Sequence, residues 1–248
     1  GMDSANVGMA VYHLLPSACV EYEIQEESFS IGVNLNNLLA ILKNAKKSDI
    51  LVLSLDADKE KPLVNEGSVM GIESQQDTKL QISANNLNIS LKGSITRNYT
   101  LPLIDLSDIT ETKIPNLEFK AKVKMPSNAF ADAVKEADTI SDSVIFEAIE
   151  QKANFNAPNL AIDAKFILSA DGDLNKLNIP FREDENTKIQ GEAKAKYSIE
   201  YLKKMSVAKC LNDDVTLEFG TDYPLRLTYR QVDKLSLSFI LAPKVDSD

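Results

Sequence analysis

Residues 31–55 read IGVNLNNLLAILKNAKKSDILVLSL, and their hydrophobic period changes twice. Asn34 is a suitable helix N-cap, and the apolar residues after it recur at helical spacing. They are Leu35, Leu38, Leu39, Ile41 and Leu42. The run at Ile50–Leu55 is typical of a strand. The stretch therefore predicts a helix between two strands, with lysines near its C-terminal end, where they complement the helix dipole.

The same arrangement recurs 164 residues further on, where Leu35 falls on Ile199 and Leu51 falls on Val215. Any two strand-helix-strand units share some hydrophobic spacing, but a duplication explains the match better. Residues 105–115 lack either period and end at a proline, which is typical of an interdomain connector. We predict a first domain over 1–104, a connector over 105–118 and a second domain over 119–248.

Period-two alternation and β-branched content predict the remaining elements. Residues 56–77 are polar and contain Pro62, Gly67 and Gly71, which favours a long loop or insertion. The predicted strands cover 7–15, 29–33, 50–55, 79–83, 87–91, 98–104, 119–125, 144–149, 153–156, 164–170, 188–197, 215–219, 225–229 and 235–241. Two further helices are predicted, one opened by Pro126 and Ser127 and one over 198–210.

The composition is that of a globular protein with a substantial core. The 248 residues are 44% hydrophobic, and 27 Lys+Arg against 37 Asp+Glu give a net charge of −10. No apolar run approaches the roughly 18 residues of a membrane span. No secretory leader pattern opens the chain, so we expect an intracellular protein, nuclear in a eukaryote and cytoplasmic in an archaeon.

The inventory of reactive side chains argues against catalysis. One histidine, His13, and two cysteines, Cys19 and Cys210, give little basis for a zinc site or a disulfide framework. Neighbouring acids such as Asp213 and Asp214 are typical of solvated turns, and no glycine-rich phosphate loop is present. We predict no catalytic residues, no metal and no cofactor.

Four segments together resemble one protein family. They are Met2-Asp3-Ser4-Ala5-Asn6-Val7, Ile31-Gly32-Val33-Asn34-Leu35 followed by Ile41-Leu42-Lys43, Val123-Lys124-Met125-Pro126-Ser127, and Leu241-Ala242-Pro243-Lys244-Val245. In this order they are similar to the sliding clamps of DNA replication, the proliferating cell nuclear antigen (PCNA) family of eukaryotes and archaea. Family pattern places a strand, a helix and a strand before the first segment, so we expect the first domain to be N-terminally incomplete.

The resemblance implies an α+β DNA-clamp fold, with two similar domains of antiparallel sheets per subunit. Three subunits would close head to tail into a ring, with the helices lining its hole. Such a ring is a processivity factor that encircles double-stranded DNA without sequence specificity and is placed there by a clamp loader. The residues expected to face DNA are Lys43, Lys46, Lys47, Lys135, Lys203, Lys204 and Lys209. Each could equally be an ordinary solvated lysine, and Lys135 is the weakest because acidic residues surround it.

The resemblance also implies an apolar pocket that binds short peptide motifs of DNA polymerases, flap nucleases and ligases. Its expected residues are Met2, Val7, Met9, Ile114, Pro115, Phe119, Tyr223, Pro224, Ile240, Ala242 and Pro243. Taken singly, most of these would be ordinary core residues.

Family pattern places strand 98–104 of one subunit against strand 164–170 of the next. Thr100 and Leu101 on one side, and Phe166 and Leu168 on the other, are the expected contacts. The ring would be a homotrimer or a heterotrimer. Two other functions stay open at this point: a specialised checkpoint or heterotrimeric clamp subunit, and a β-rich binding module that does not bind DNA.

Overall fold

The computed structural model describes residues 1–24, 30–55, 85–106, 116–150 and 163–245. Its chain divides into two compact units: a large unit of residues 1–22 and 112–248, and a small unit of residues 23–111. The division follows strand pairing, because the first strand pairs with the last. The functional division at 105–118 stays a prediction.

The described residues of the small unit form one helix and a three-stranded antiparallel meander. The helix, α1 (Leu35–Leu42), begins at Asn34, whose side chain accepts the backbone N–H groups of Asn36 and Asn37 at 3.1 Å. This confirms the predicted N-cap. The strands, in sheet order, are β2 (Ile50–Leu55), β3 (Asn86–Lys92) and β4 (Thr96–Pro102). Residue Gly32 forms only an isolated bridge to Ile104, where a strand over 29–33 was predicted.

Where the structure describes it, the large unit consists of two antiparallel sheets and two α-helices around one core. The six-stranded sheet has the order β1-β13-β12-β11-β5-β9, and the four-stranded sheet has the order β10-β6-β7-β8. The strands of the first are β1 (Gly8–Leu14), β5 (Ala121–Pro126), β9 (Lys188–Gln190), β11 (Asp214–Phe219), β12 (Leu225–Gln231) and β13 (Leu235–Leu241). Those of the second are β6 (Ser143–Ile149), β7 (Lys165–Asp171), β8 (Lys176–Arg182) and β10 (Ala193–Ser198).

The two helices of the large unit, α2 (Ser127–Ala137) and α3 (Ile199–Ser206), pack against each other and bury one face each. A short 3-10 helix, Val207–Leu211, extends α3. Phe146 lies at the centre of the core, and its ring contacts the rings of Phe130, Phe166 and Tyr197 at centroid distances of 5.3–6.1 Å. Burial of these side chains is the main source of stability for this unit.

The predicted strand over 188–197 is wrong, because the chain changes sheet at Gly191. This glycine has φ = +73°, and a Cβ there would overlap the carbonyl oxygen of Lys120. Residues before it pair with β5 in the six-stranded sheet, and residues after it pair with β6 in the four-stranded sheet. A single glycine thus connects the two layers. Strand β8 was not predicted, and the predictions over 79–83 and 153–156 lie outside the described residues.

The predicted internal repeat is confirmed element by element. Adding 164 to the bounds of α1 and β2 gives those of α3 and β11, and adding 139 to those of β3 and β4 gives those of β12 and β13. Both copies are a helix followed by an antiparallel three-stranded meander. The first copy holds 25 more residues between its first two strands, and the long loop or insertion predicted over 56–77 lies in this interval, outside the described residues.

Candidate functional site

One wall of the candidate site lies where β1 runs beside β13. Met9 is the register partner of Ile240, and the amide of Ala242 donates to the carbonyl of Val7 at 2.9 Å. Met2 forms a bridge to Met9 and is 42% exposed, whereas Met9 beneath it is buried. These five apolar residues are therefore neighbours, although they come from two segments of the chain that are more than 200 positions apart.

The opposite wall is aromatic. The rings of Phe119 and Tyr223 meet edge to face at a centroid distance of 6.1 Å, and the guanidinium of Arg226 lies 4.6 Å from the centre of the Phe119 ring. Arg226 is held by Glu218, whose carboxylate accepts its Nε at 2.8 Å. Ile240 is the register partner of Arg226 and joins this wall to the first.

These contacts link seven of the nine described residues of the predicted pocket, and Pro224 and Pro243 directly follow two of them in the chain; the nine residues are called the apolar patch from here on. Its members are Met2, Val7, Met9, Phe119, Tyr223, Pro224, Ile240, Ala242 and Pro243. All except Met2 and Met9 are half-buried. Ile114 and Pro115 lie outside the described residues. A half-buried apolar surface beside charged groups is suited to anchoring the apolar side chains of a short peptide.

Two tyrosines that the sequence analysis did not single out donate hydrogen bonds to the segments that carry the apolar patch. The hydroxyl of Tyr201 donates to Asp3 Oδ2 at 2.6 Å, and Asp3 Oδ1 accepts the amides of Val7 and Gly8 at 2.8 Å each. The hydroxyl of Tyr197 donates to the carbonyl of Tyr223 at 2.8 Å. Both hydroxyls lie in the large unit, far from their acceptors in sequence.

The electrostatics fit these bonds. The hydroxyl of Tyr201, together with the amide of Gly8, lowers the pKa of Asp3, and the same bond to Asp3 raises the pKa of Tyr201. Burial raises the pKa of Tyr197. The carboxylate of Asp3 is therefore ionised and both tyrosines are neutral donors at neutral pH.

The predicted DNA-facing lysines of the large unit lie on the exposed sides of α2 and α3. We call the exposed charged residues of these helices and of the α2 cap the helical face. It consists of Asp132, Lys135, Glu136, Asp138, Glu200, Lys203 and Lys204. Lys203 pairs with Asp138 at 2.6 Å, and Lys204 pairs with Glu200 at 2.7 Å. Three lysines against four carboxylates make this face weakly acidic, although its three lysines were expected to face DNA.

The remaining predicted lysines differ in exposure. Lys209, in the 3-10 helix, is half-buried. In the small unit Lys43, Lys46 and Lys47 are exposed at the end of α1. Asp49, the nearest carboxylate in sequence, is bound by Arg97 instead. Three lysines are thus exposed within five residues, and no carboxylate of the described residues is paired with them.

The predicted subunit-contact residues divide into two groups. Strand β4 is an edge strand of its sheet, with Thr100 exposed and Leu101 buried against its own unit. Strand β7, in contrast, pairs with β6 and β8 on its two sides, and Phe166 and Leu168 are wholly buried. The expectation that these two side chains meet a neighbouring subunit does not fit this geometry. Within the described residues, β8 is the edge strand on that side of the sheet.

In the part of the chain that the structure describes, no helix is long and apolar enough to cross a membrane. The same residues contain no group of three or more His, Cys, Asp or Glu that could hold a metal ion.

The repeated helix and meander and the antiparallel sheets define an α+β protein of the DNA-clamp class. Residues 113–244 match the family model of the proliferating cell nuclear antigen C-terminal domain. The chain is 32% identical to a DNA polymerase sliding clamp of Nanoarchaeum equitans, over 99% of this chain and 85% of that protein. It is 31% identical to one from Pyrococcus horikoshii, over 99% and 84%.

Among solved structures, a PCNA from Thermococcus kodakaraensis superimposes with a TM-score of 0.73 at 25% identity. That match covers 98% of this chain and 85% of the other. The chain belongs to the proliferating cell nuclear antigen family.

Proposed function

We propose that this chain is a subunit of a DNA polymerase sliding clamp. Three subunits form a closed ring that encircles duplex DNA and tethers replication enzymes, without doing covalent chemistry itself. The observation that carries this proposal is the likeness over 99% of the chain to proteins named DNA polymerase sliding clamp. The predicted domains, 1–104 and 119–248 joined by 105–118, are then the two repeats that each subunit contributes.

Retention on DNA comes from ring closure, and charge only centres the duplex. The net charge of −10 and the ion-paired helical face argue against tight phosphate binding. Lys43, Lys46 and Lys47 supply the principal attraction in this proposal. A weakly attractive bore suits a ring that must slide.

The ring closes through main-chain pairing between β4 of one subunit and β8 of the next. Both are edge strands in the described part of the chain, so each has backbone groups that a partner strand can satisfy. A head-to-tail contact of this kind closes when its rotation completes a circle, here with three copies.

Partner enzymes bind the apolar patch through short peptides. Polymerases, flap nucleases and ligases are the proposed partners, and a clamp loader opens the ring. The patch suits apolar anchor residues, while Lys122 and Arg226 on either side of Glu218 form part of a polar rim.

The topological claim is tested by loading the protein onto circular DNA with a clamp loader. The complex should survive a wash in high salt on a closed circle and dissociate after a single restriction cut. Dissociation from the closed circle at high salt would contradict encirclement. Equal retention on cut and closed DNA would contradict it as well.

Subunit composition is tested by sedimentation. A homotrimer should form from this chain alone at micromolar concentration, and a monomer at high micromolar concentration would contradict self-assembly. A trimer that appears only after mixing with sibling subunits would favour the heterotrimeric alternative.

A further inference from the structure

Two tyrosines four positions apart in sequence lie at the junction of β10 and α3. Tyr197 is near the end of β10, and Tyr201 is in the first turn of α3. We propose that Tyr197 and Tyr201 are positioning residues that hold the two walls of the apolar patch in the arrangement that a peptide binds. The inference rests on the proposed peptide-binding function.

Tyr201 fixes the turn Asp3–Gly8, which carries the first wall. Asp3 closes this turn by accepting the amides of Val7 and Gly8 and by donating its own N–H to the Gly8 carbonyl at 2.9 Å. Asn6 takes φ = +57°, which an asparagine tolerates. The Tyr201 hydroxyl binds the second oxygen of Asp3 at 2.6 Å and thereby attaches the closed turn to α3.

Packing reinforces this attachment. A Cβ on Gly8 would lie only 3.2 Å from the ring of Tyr201, so the ring lies directly against the backbone at the start of β1. The same backbone places Met2 opposite Met9 and directs the Val7 carbonyl to Ala242. Loss of the hydroxyl alone keeps this ring contact and removes only the bond to Asp3, so it tests the hydrogen bond separately from the packing.

Tyr197 fixes the second wall through the main chain. Its side chain is wholly buried, and its hydroxyl binds the carbonyl of Tyr223. Asp222, the preceding residue, takes φ = +50°, so the chain bends just before this bond. The fixed carbonyl sets the direction of the Tyr223 ring, which meets Phe119 edge to face.

A simpler interpretation is that each hydroxyl merely satisfies its own hydrogen-bonding need in a buried place. Tyr229 provides the matched control, because it is wholly buried in the same unit. Within the described residues its hydroxyl has no hydrogen-bond partner. Tyr229→Phe therefore removes a buried phenolic oxygen without removing a bond.

The experiment compares Tyr201→Phe, Tyr197→Phe and Tyr229→Phe in the assembled protein. Fluorescence anisotropy measures the Kd of a fluorescein-labelled clamp-binding peptide of a DNA polymerase, and circular dichroism follows thermal unfolding. Apparent affinity scales with the fraction of molecules in the binding-competent arrangement, so Kd should rise about three- to tenfold for each of the first two variants. Tyr229→Phe should bind like the wild type.

A second readout separates positioning from general stability. The Met2 methyl signal, observed by selective methionine labelling and NMR, should shift in Tyr201→Phe and stay in place in Tyr197→Phe and Tyr229→Phe. Because the two tyrosines act on different walls, the double variant should raise Kd by the product of the single effects.

The outcomes are distinct. Wild-type affinity in Tyr201→Phe would overturn the inference even if Tyr197→Phe failed to fold. Equal losses in all three variants would overturn it too. If the wild type itself bound no peptide, both the proposed peptide-binding function and the inference would be wrong. If the wild type bound the peptide and the variants bound it equally well, only the inference would be wrong.

Discussion

Two carboxylates on the helical face should weaken the hold of this protein on DNA. Asp138 binds Lys203, and Glu200 binds Lys204. Replacing both acids by their amides, Asp138→Asn with Glu200→Gln, changes the face from four carboxylates against three lysines to two against three. Its formal charge moves from −1 to +1, and two lysines lose their competing partners.

The expected size follows from counterion release. Each lysine that newly neutralises a phosphate adds about 0.9 to the slope of log affinity against log salt concentration. The double variant should therefore show a slope steeper by up to about 1.8 for each subunit that contacts DNA. A surface ion pair contributes little to stability, so the fold should be unaffected.

The assay is anisotropy of a labelled duplex titrated with protein over a series of salt concentrations. Glu147→Gln is the matched control, because Glu147 also pairs with an exposed lysine, Lys194 at 3.4 Å, but lies on a strand of the four-stranded sheet. Glu147→Gln likewise replaces an ion-paired carboxylate by its amide, but at one position and away from the helices. An unchanged slope in the double variant, or an equal change in the control, would refute the assignment of the helical face to DNA.

Three further predictions concern folding. Gly191→Ala should lower the free energy of unfolding by about 1–3 kcal/mol in urea titrations, because the backbone there is left-handed and leaves no room for a methyl group; a loss below about 0.5 kcal/mol would contradict this. Arg97→Ala leaves Asp49, whose side chain is 4% exposed, without its cation, and should destabilise the small unit by about 3 kcal/mol, seen as faster hydrogen exchange in β2–β4. The pKa of Asp142 lies below its ordinary value of 3.8 because Lys244 donates to it, so the ion pair stabilises the fold above pH 3.8 and this contribution is lost as pH falls through the lowered folded-state pKa. Asp142→Asn should therefore reduce the pH dependence of the free energy of unfolding in this acid range. If the pH dependence were unchanged, the pair of Asp142 and Lys244 would be excluded as its cause.

Local signals were sufficient where one short segment determines its own structure. Asn34 and the spacing that follows it gave α1 with its N-cap, and the alternation at Leu235–Leu241 gave β13 with its bounds. The internal repeat was also visible, since the apolar spacing of Leu35 and Leu51 recurs at Ile199 and Val215, although only the second pair is buried.

Local signals did not predict the structure of a segment where that structure depends on a partner distant in sequence. Phe166 alternates as any strand residue does, and only pairing on both sides shows that its strand is central. Gly191 looks like an interruption within one strand, whereas the structure uses it to change sheets.

The site shows the same limit. The resemblance supplied the residues that form the apolar patch, but the tyrosines that hold it carry no motif of their own. The bond between Tyr201 and Asp3 spans 198 positions and has no local signature. The spacing of four residues between the two tyrosines gives no signal either, because Tyr197 lies in β10 and Tyr201 in α3.

The pairing of β1 with β13 has a consequence for biosynthesis. Gly8 is the register partner of Leu241, so β1 cannot pair in this way until a strand more than 200 residues later in the chain has been made. Until β13 has been made, the edge of β1 is unpaired and other chains can reach it. Pairing of the two strands then closes a long loop, which has a large entropic cost. The large unit is therefore complete only after β13 has been made, and holdase chaperones that shield β1 until then should matter more to its yield than those that act on the strands between them.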